Sequence, residues 1–320
     1  MIAQVVVDVV HENVAKPFSY LMPPDMPALE GMRVSVPLGR RQVDGVVVDI
    51  TDTCDVPPER LKPITRTLDS YAAVLPPLIA LAQELAAENH CPLAETLRLM
   101  LPAAMRTGHV QAKLEPMAQL CEGTDALAAA VAQARAPKRA TLLRMLADGK
   151  PHPVSELATL VAAPQEALRK LAEASLVRLT TRETFRLPYG DMPSGVSAAP
   201  EPTAEQRAAL QIMLPALEAG TGSFLLHGVT GSGKTEVYLA LAKRALEMGK
   251  AAIILVPEIA LTPQMIGWFR ERFGPRTAVL HSRLTDGERC DEWRRIRLGD
   301  ARVVVGARSA VFAPVENLGL

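Results

Sequence analysis

Apolar and polar positions change their rhythm along this chain, and the changes divide it. Valine-rich and β-branched runs at Ile2–Val10, Arg33–Val36 and Val43–Ile50 are separated by Pro23-Pro24, Glu30-Gly31 and Leu38-Gly39, which read as turns. This pattern predicts a small β-barrel or folded sheet. From Leu75 to Met105 leucine and alanine recur at helical spacing, so helices follow and complete a first unit over 1–105. Residues 106–136 read as a linker, within which the alanine-rich stretch Glu122–Arg135 fits either a helix or a connection. Helical patterns then run Lys138–Leu146, Val154–Val161 and Pro164–Ala174, with Pro164 at the first helical position, where its missing N–H costs nothing. Leu176–Thr180 and Thr184–Leu187 read as short strands. Three helices and a β-ribbon over 137–189 predict a winged-helix domain. A structural spacer of that fold suits the pattern equally, because the third helix offers only Arg169 and Lys170 to phosphates.

Residues 190–202 lack periodicity and read as a second linker. Over 203–320 helix and strand patterns alternate. Helices are predicted at Thr203–Glu218, Lys234–Met248, Pro263–Phe273 and Asp286–Leu298. Strands are predicted at Phe224–His227, Ala252–Val256, Thr277–Leu280 and Arg302–Val305. Such alternation predicts a parallel α/β domain built of βαβ units.

Composition narrows the class. Hydrophobic residues make up 48% of the 320, which excludes a disordered chain. No apolar run approaches the ~20 residues of a membrane span. The start, MIAQVVVDVV, has neither a basic region nor a small-residue cleavage site, so a cytoplasmic protein is expected, with no membrane partner. The four cysteines, Cys54, Cys91, Cys121 and Cys290, form no C-x-x-C pair, which argues against a disulfide framework or a zinc site in this stretch. Lys plus Arg equals Asp plus Glu at 35 each, so the chain lacks the basic surplus common in nucleic-acid binders. Locally the balance differs: Arg270 to Arg308 holds ten arginines and six acids. That stretch reads either as a DNA-facing side or as a solvated helix face.

One motif carries a mechanism. Gly228-Val229-Thr230-Gly231-Ser232-Gly233-Lys234-Thr235 matches G-x-x-x-x-G-K-[ST], between a predicted strand and a predicted helix. The glycines let backbone N–H groups turn toward phosphate oxygens, and the helix N-terminus adds partial positive charge there. Lys234 brings a full charge to the β/γ-phosphates, and Thr235 offers its hydroxyl to Mg²⁺. ATP and Mg²⁺ are the expected cofactors. The motif alone indicates a nucleotide binder of unspecified class.

Longer stretches resemble one family. HGVTGSGKTEVYL (His227–Leu239), VPEIALTPQM (Val256–Met265), VLHSRLTDGER (Val279–Arg289) and VVVGARSAVFAP (Val303–Pro314) are similar, in this order, to motifs of the PriA-type primosomal helicases of helicase superfamily 2. PFSYLMP (Pro17–Pro23) and RVSVPLGRR (Arg33–Arg41) resemble the opening of the same family. The resemblance implies a multidomain α/β protein: a β-rich 3′-end DNA-binding domain, a winged-helix domain and a partial RecA-like P-loop lobe. It implies an ATP-dependent 3′-to-5′ DNA helicase that acts at stalled or repaired forks in replication restart. Implied partners are forked DNA with a 3′ end, other primosome proteins and single-stranded-DNA-binding protein.

By motif position, Glu258, Thr262, Gln264, Arg308 and Ser309 are expected on the DNA side, although Thr262-Pro263 is also an ordinary helix start. Gln206 lies where such helicases carry an adenine-reading glutamine, and Thr203-x-x-Gln206 is equally a capping box. Phe18, Ser19, Tyr20, Gly39 and Lys62 are implied to line a 3′-end pocket, though Phe18 and Tyr20 read as well as plain strand residues on opposite faces, with Ser19 at a turn. The family usually has aspartate where this chain has Ser19. Its acidic D-E-E-H motif is expected just beyond Leu320, and its zinc-binding cysteines, second lobe and arginine finger further on. The 320-residue stretch by itself is therefore expected to be inactive in hydrolysis.

Overall fold

The computed structural model describes residues 1–9, 16–26, 28–54, 56–107, 113–188 and 200–320. They form two compact units, Met1–Val110 with Leu187–Leu320, and Gln111–Arg186. Most of the predicted linker 190–202 and the end of the first predicted strand, Val10, lie outside the described residues.

The first unit begins with β1 (Ile2–Val7), β2 (Phe18–Leu21), β3 (Arg33–Leu38), β4 (Arg41–Thr51) and β5 (Arg66–Thr67), antiparallel in the order β2-β1-β4-β3-β5. Gly39, at φ +61°, makes the tight turn between β3 and β4. A shift of register between Gln4 and Val5 bends β1 against β4. The sheet closes on itself because one segment touches both its edges. Leu21 N donates to Lys62 O (2.9 Å), Ile64 N to Leu21 O (3.0 Å) and Thr65 N to Ser35 O (2.9 Å). Period-two alternation then sorts the side chains. Ala3, Val5, Val7, Tyr20, Val34, Val36 and Ile64 fill one apolar cluster. Val6, Val46 and Val48 face the other way, beneath α1 (Pro76–Glu88), α2 (Leu93–Met100) and α3 (Ala103–Thr107). Burying each such side chain contributes roughly 1.5–3 kcal/mol.

The second unit contains β6 (Lys113–Leu120), α4 (Ala126–Ala132), α5 (Pro137–Met145), β7 (His152–Pro153), α6 (Val154–Leu157), α7 (Gln165–Glu173) and β8 (Val177–Thr184). Its antiparallel sheet has the order β7-β6-β8, and Leu142, Leu143, Leu146, Leu157, Leu168 and Leu171 form its core. Here the structure departs from the sequence expectation. Residues read as linker supply the central strand β6 and helix α4, and β8 is one strand rather than two. Pro116 masks β6 in the sequence, since proline is a poor central-strand residue. The structure accommodates it because β7 pairs only with Met117 and Ala118, leaving Pro116 beyond that ladder. Asp125 caps α4, accepting from Leu127 N and Ala128 N, so the alanine-rich stretch is helical. Pro164 sits at the N-cap of α7 rather than at its first helical position.

Residues 200–320 complete the first unit with α8 (Ala204–Ala219), α9 (Lys234–Glu247), β9 (Ala252–Leu255), α10 (Pro263–Phe273), β10 (Thr277–Leu280), α11 (Asp286–Arg297) and β11 (Val303–Gly306). The three strands are parallel in the order β10-β11-β9. Val279, Val303 and Val305 pack with Leu239 of α9 and Phe269 of α10, while Ala278, Leu280 and Val304 pack with Ile296 of α11.

Phe224–His227, predicted as a strand, is not one; Leu225 is 92% exposed. A parallel strand needs a neighbour delivered by a crossover. Neither sheet edge supplies one, and the β9 edge is followed instead by residues 317–320. There Ala251 N donates to Asn317 O (3.0 Å) and Ile253 N to Leu320 O (2.8 Å).

The regions read as separate domains over 1–105 and 203–320 share a core. Cys290 and Trp293 of α11 belong to the same cluster as Ile79, Leu97 and Met100. The buried Trp293 Nε1 donates to Met100 O (3.2 Å). Arg297 Nε donates to Ala72 O (2.5 Å), and its guanidinium lies 5.5 Å from the centre of the Tyr71 ring.

Candidate nucleotide-binding and DNA-binding sites

The glycine-rich motif of residues 228–235 forms a turn ending at the N-terminus of α9, with Gly233 (φ +78°) as N-cap and Lys234 and Thr235 in the first turn. Position 233 favours glycine through its left-handed backbone, and a Cβ at Gly228 or Gly233 would displace a movable side chain. A Cβ on Gly228 would lie 2.7 Å from Ser232 Oγ, and one on Gly233 would lie 2.4 Å from Gln206 Nε2. Lys234 Nζ donates to Gly228 O (2.5 Å) and Val229 O (2.9 Å), which holds the ammonium inside the loop. Val229, Thr230, Gly231 and Ser232 are exposed, so the outer rim of the turn faces solvent. Thr235 is half-buried, and its hydroxyl has no partner among the described residues. A turn of exposed residues, a helix N-terminus, an ammonium and a free hydroxyl fit a polyphosphate with its metal ion.

The geometry satisfies the capping-box reading of Gln206. Thr203 N donates to Gln206 Oε1 (2.8 Å) and Gln206 N to Thr203 Oγ1 (3.3 Å), which is a capping box. Gln206 Nε2 also donates to Gly233 O (3.1 Å), joining the start of α8 to the glycine-rich turn.

The segments after β9, β10 and β11 emerge at the carboxyl edge of the parallel sheet, where α/β sheets bind ligands. They are cross-connected. Ser282 Oγ donates to Glu258, which holds that carboxyl below its usual range, and Arg283 donates to Leu261 O (3.3 Å). Thr262 caps α10, accepting from Met265 N at 3.2 Å with Pro263 as the first helical residue, so the helix-start reading is satisfied. Thr262, Gln264, Arg308 and Ser309 are all exposed. His281 is buried, its Nδ1 accepts from Arg283 N (3.1 Å), and burial pushes its pKa down, so the ring is neutral at pH 7.

The arginine-rich stretch is not simply a solvated face. Arg272 pairs with Glu236 (2.9 Å), and Arg289 caps the 281–284 loop by donating to Ser282 O (3.0 Å). Arg295 pairs with Glu292 inside the protein, where Glu292 also accepts from Val279 N (2.6 Å). Burial raises the Glu292 pKa, opposed by Arg295. In the second unit, Arg169 and Lys170 pair with Glu173 (3.6 Å) and Glu166 (2.9 Å) along α7, which spends the charge that helix would offer a phosphate.

At the N-terminal barrel, Lys62 Nζ donates to Gly39 O (3.3 Å) and Tyr20 Oη to Pro37 O (3.2 Å), so β2, the β3–β4 turn and Lys62 meet. Phe18 packs beside Tyr20 against the barrel's apolar cluster. Ser19 alternates to the other face and donates to Gln4 Oε1 (3.2 Å). The structure thus brings Tyr20 and Lys62 to the β3–β4 turn beside Gly39, leaves Phe18 against the apolar cluster, and turns the Ser19 side chain away from Tyr20. Trp293 was not anticipated from sequence; a lone tryptophan in an otherwise charged helix was its only signal. Among the described residues no helix is long and apolar enough to cross a membrane, and no cluster of His, Cys, Asp and Glu could hold a metal ion.

Comparison with known proteins matches two family models to this chain. Residues 4–102 match the 3′DNA-binding domain (3′BD) model, and residues 203–318 match the DEAD/DEAH box helicase model. Replication restart protein PriA of Bacillus subtilis is 32% identical over 99% of this chain and 48% of its own length. The protein of that name from Haemophilus influenzae is 33% identical over 94% of this chain and 41% of its own. That of Treponema pallidum is 54% identical over 36% of this chain and 17% of its own. The chain thus spans less than half the length of these curated relatives. The order of the two matched models, the particular motifs and the near-complete alignment together place this chain in the PriA family of replication restart proteins.

Proposed function

We propose that this chain is the fork-binding and nucleotide-binding part of an ATP-dependent 3′-to-5′ DNA helicase of superfamily 2. That helicase would recognise stalled or repaired replication forks and initiate replication restart. One observation carries the reading: a barrel matching a 3′ DNA-binding domain and a phosphate-binding turn matching a helicase domain share one compact unit. The loop amides of 229–233 would bind the polyphosphate, with Lys234 exchanging its two loop carbonyls for phosphate oxygens. Thr235 would hold Mg²⁺, and Gln206 would orient the base. Bound ATP·Mg supplies the hydrolysable phosphoanhydride. Phe18, Ser19, Tyr20, Gly39 and Lys62 are assigned to the 3′ end, and Thr262, Gln264, Arg308 and Ser309 to the strand. The second unit is assigned as a winged-helix domain. The site of action is the cytoplasm, with primosome proteins and single-stranded-DNA-binding protein as partners; zinc belongs to sequence other than this stretch.

A second reading rests on the sequence itself, whose 320 residues contain no D-E-E-H. By that reading, this stretch alone binds nucleotide and fork without turnover. Steady-state ATPase with forked DNA separates the two. Turnover well below ~1 s⁻¹, the low end of ordinary enzymes, is expected for this stretch, and a rate near that value would overturn the second reading. Fluorescence anisotropy with labelled nucleotide and labelled 3′-hydroxyl forks tests the binding roles, and absence of both affinities would overturn the proposal.

A further inference from the structure

A cleft of about 640 Å³ opens between the carboxyl edge of the parallel sheet and the α2–α3 corner of the N-terminal region. One wall carries Arg308, Ser309 and Phe312, and the other carries Arg98, Leu99 and Arg106. Four arginines line it, counting Arg289, against the single carboxylate of Glu258. Arg308 has no hydrogen bond or ion pair among the described residues. Arg98 and Arg106 share one carboxylate, Asp8, at 2.5 and 3.2 Å, so that trio keeps a net positive charge. Arg106 Nε is buried without a partner. Phe312 is half-buried and Leu99 is 52% exposed, so both present apolar surface beside the cations.

We propose that the α2–α3 corner, through Arg98, Leu99 and Arg106, is the second wall of a groove for single-stranded DNA. This rests on the fork-binding reading above. A groove that sets the unpaired Arg308 and the net-positive Arg98–Asp8–Arg106 trio beside an aromatic face suits an unpaired strand, because phosphates meet the cations while an unstacked base meets the ring. A duplex hides its base faces and has no use for Phe312 or Leu99. The barrel region is thereby assigned a role beyond holding a 3′ end, since it grips the strand alongside the lobe. Trp293 and Arg297 keep the two walls in fixed register.

Leu99 offers the cleanest test, because it is exposed and makes no part of the buried core. Binding of the whole chain to a labelled oligo-dT with a blocked 3′ end is measured by anisotropy across a salt series, next to a 3′-hydroxyl fork and a blunt duplex. Leu99→Glu is expected to weaken oligo-dT binding at least about fivefold, and Leu99→Lys to strengthen it. Arg106→Gln should lower the slope of log K against log salt by about 0.7, the value for one phosphate contact on a single strand. Ile212→Glu, a charge insertion at a still more exposed position on α8, should change nothing. Equal effects of Leu99→Glu and Ile212→Glu, or loss of duplex binding alone, overturn the groove while fork binding survives. Failure of the wild-type chain to bind either oligo-dT or fork overturns the proposed function with it.

Discussion

The N-terminal barrel and the parallel α/β lobe lie in the same compact unit but complete themselves differently. In the barrel every strand has a partner close in sequence or reached by the short return at 62–67, and the candidate residues Tyr20, Gly39 and Lys62 are already tied together. In the lobe the helix after the glycine-rich turn is formed, yet the segment before it, Phe224–His227, has no ladder. Antiparallel strands close through local turns, whereas each parallel strand waits on a crossover from elsewhere. A binding site on a barrel can therefore be complete within a hundred residues. A phosphate-binding turn on a parallel sheet depends on strands distant in sequence.

The largest expected effect tests whether the two regions are one body. Trp293→Ala removes a buried indole from a core contributed by both, and should cost about 3–5 kcal/mol. Denaturant unfolding followed by probes in the barrel and in the lobe should show one coincident transition for this unit in the wild type. The variant should show two, and a single unshifted transition would mean that the seam contributes nothing.

Next in size, Lys234→Ala should separate the regions functionally. Losing a charge-assisted contact to phosphate is expected to weaken nucleotide binding at least about tenfold, or 1.4 kcal/mol. Affinity for a 3′-hydroxyl fork should stay within about twofold. Loss of fork binding in a folded Lys234→Ala variant would show that the lobe's loop and the barrel cannot be treated apart.

A smaller effect is expected at Tyr20→Phe, which removes the donor to Pro37 O and leaves that carbonyl unpaired. The cost should be about 1 kcal/mol in unfolding, with fork affinity reduced and nucleotide affinity unchanged. Reduced nucleotide affinity would contradict the idea that the barrel completes its site alone.

The same contrast explains what could be read in advance. Strands β3 and β4 were legible because alternation and a glycine turn agree, and α8, α10 and α11 because their caps are spelled locally: Thr203, Thr262 and Thr285 each accept from the third residue onward. Strand β6 was hidden by Pro116, which only the shortness of β7 excuses. The seam was hidden by charge. Helix α11 reads as a solvated face, yet Glu292 and Arg295 are buried against the sheet while Cys290 and Trp293 are buried against the barrel's helices. Charged residues enter a core only when paired, and the pairing partner is not visible in a sequence pattern.

The smallest expected effect sharpens the barrel's side of the contrast. Ser19 donates to Gln4 on the strand opposite, and it stands where the family usually has aspartate. Ser19→Asp should be accommodated, because the Gln4 amide can rotate to present its NH₂ group to the new carboxylate. The added charge would accept a hydrogen bond from a free 3′-hydroxyl and repel a 3′-phosphate, which carries nearly two charges at pH 7. Wild type should therefore prefer 3′-hydroxyl forks by a modest margin, and Ser19→Asp should widen that margin severalfold, chiefly by weakening the phosphate-ended fork. The widening should shrink as salt is raised, because Ser19 is only partly buried and its field is screened. Anisotropy titrations with the two fork ends at low and high salt read this directly. Equal affinity for both ends in wild type and variant alike would remove the 3′ end from this strand, leaving the Gly39–Lys62 side of the barrel as the surface to probe.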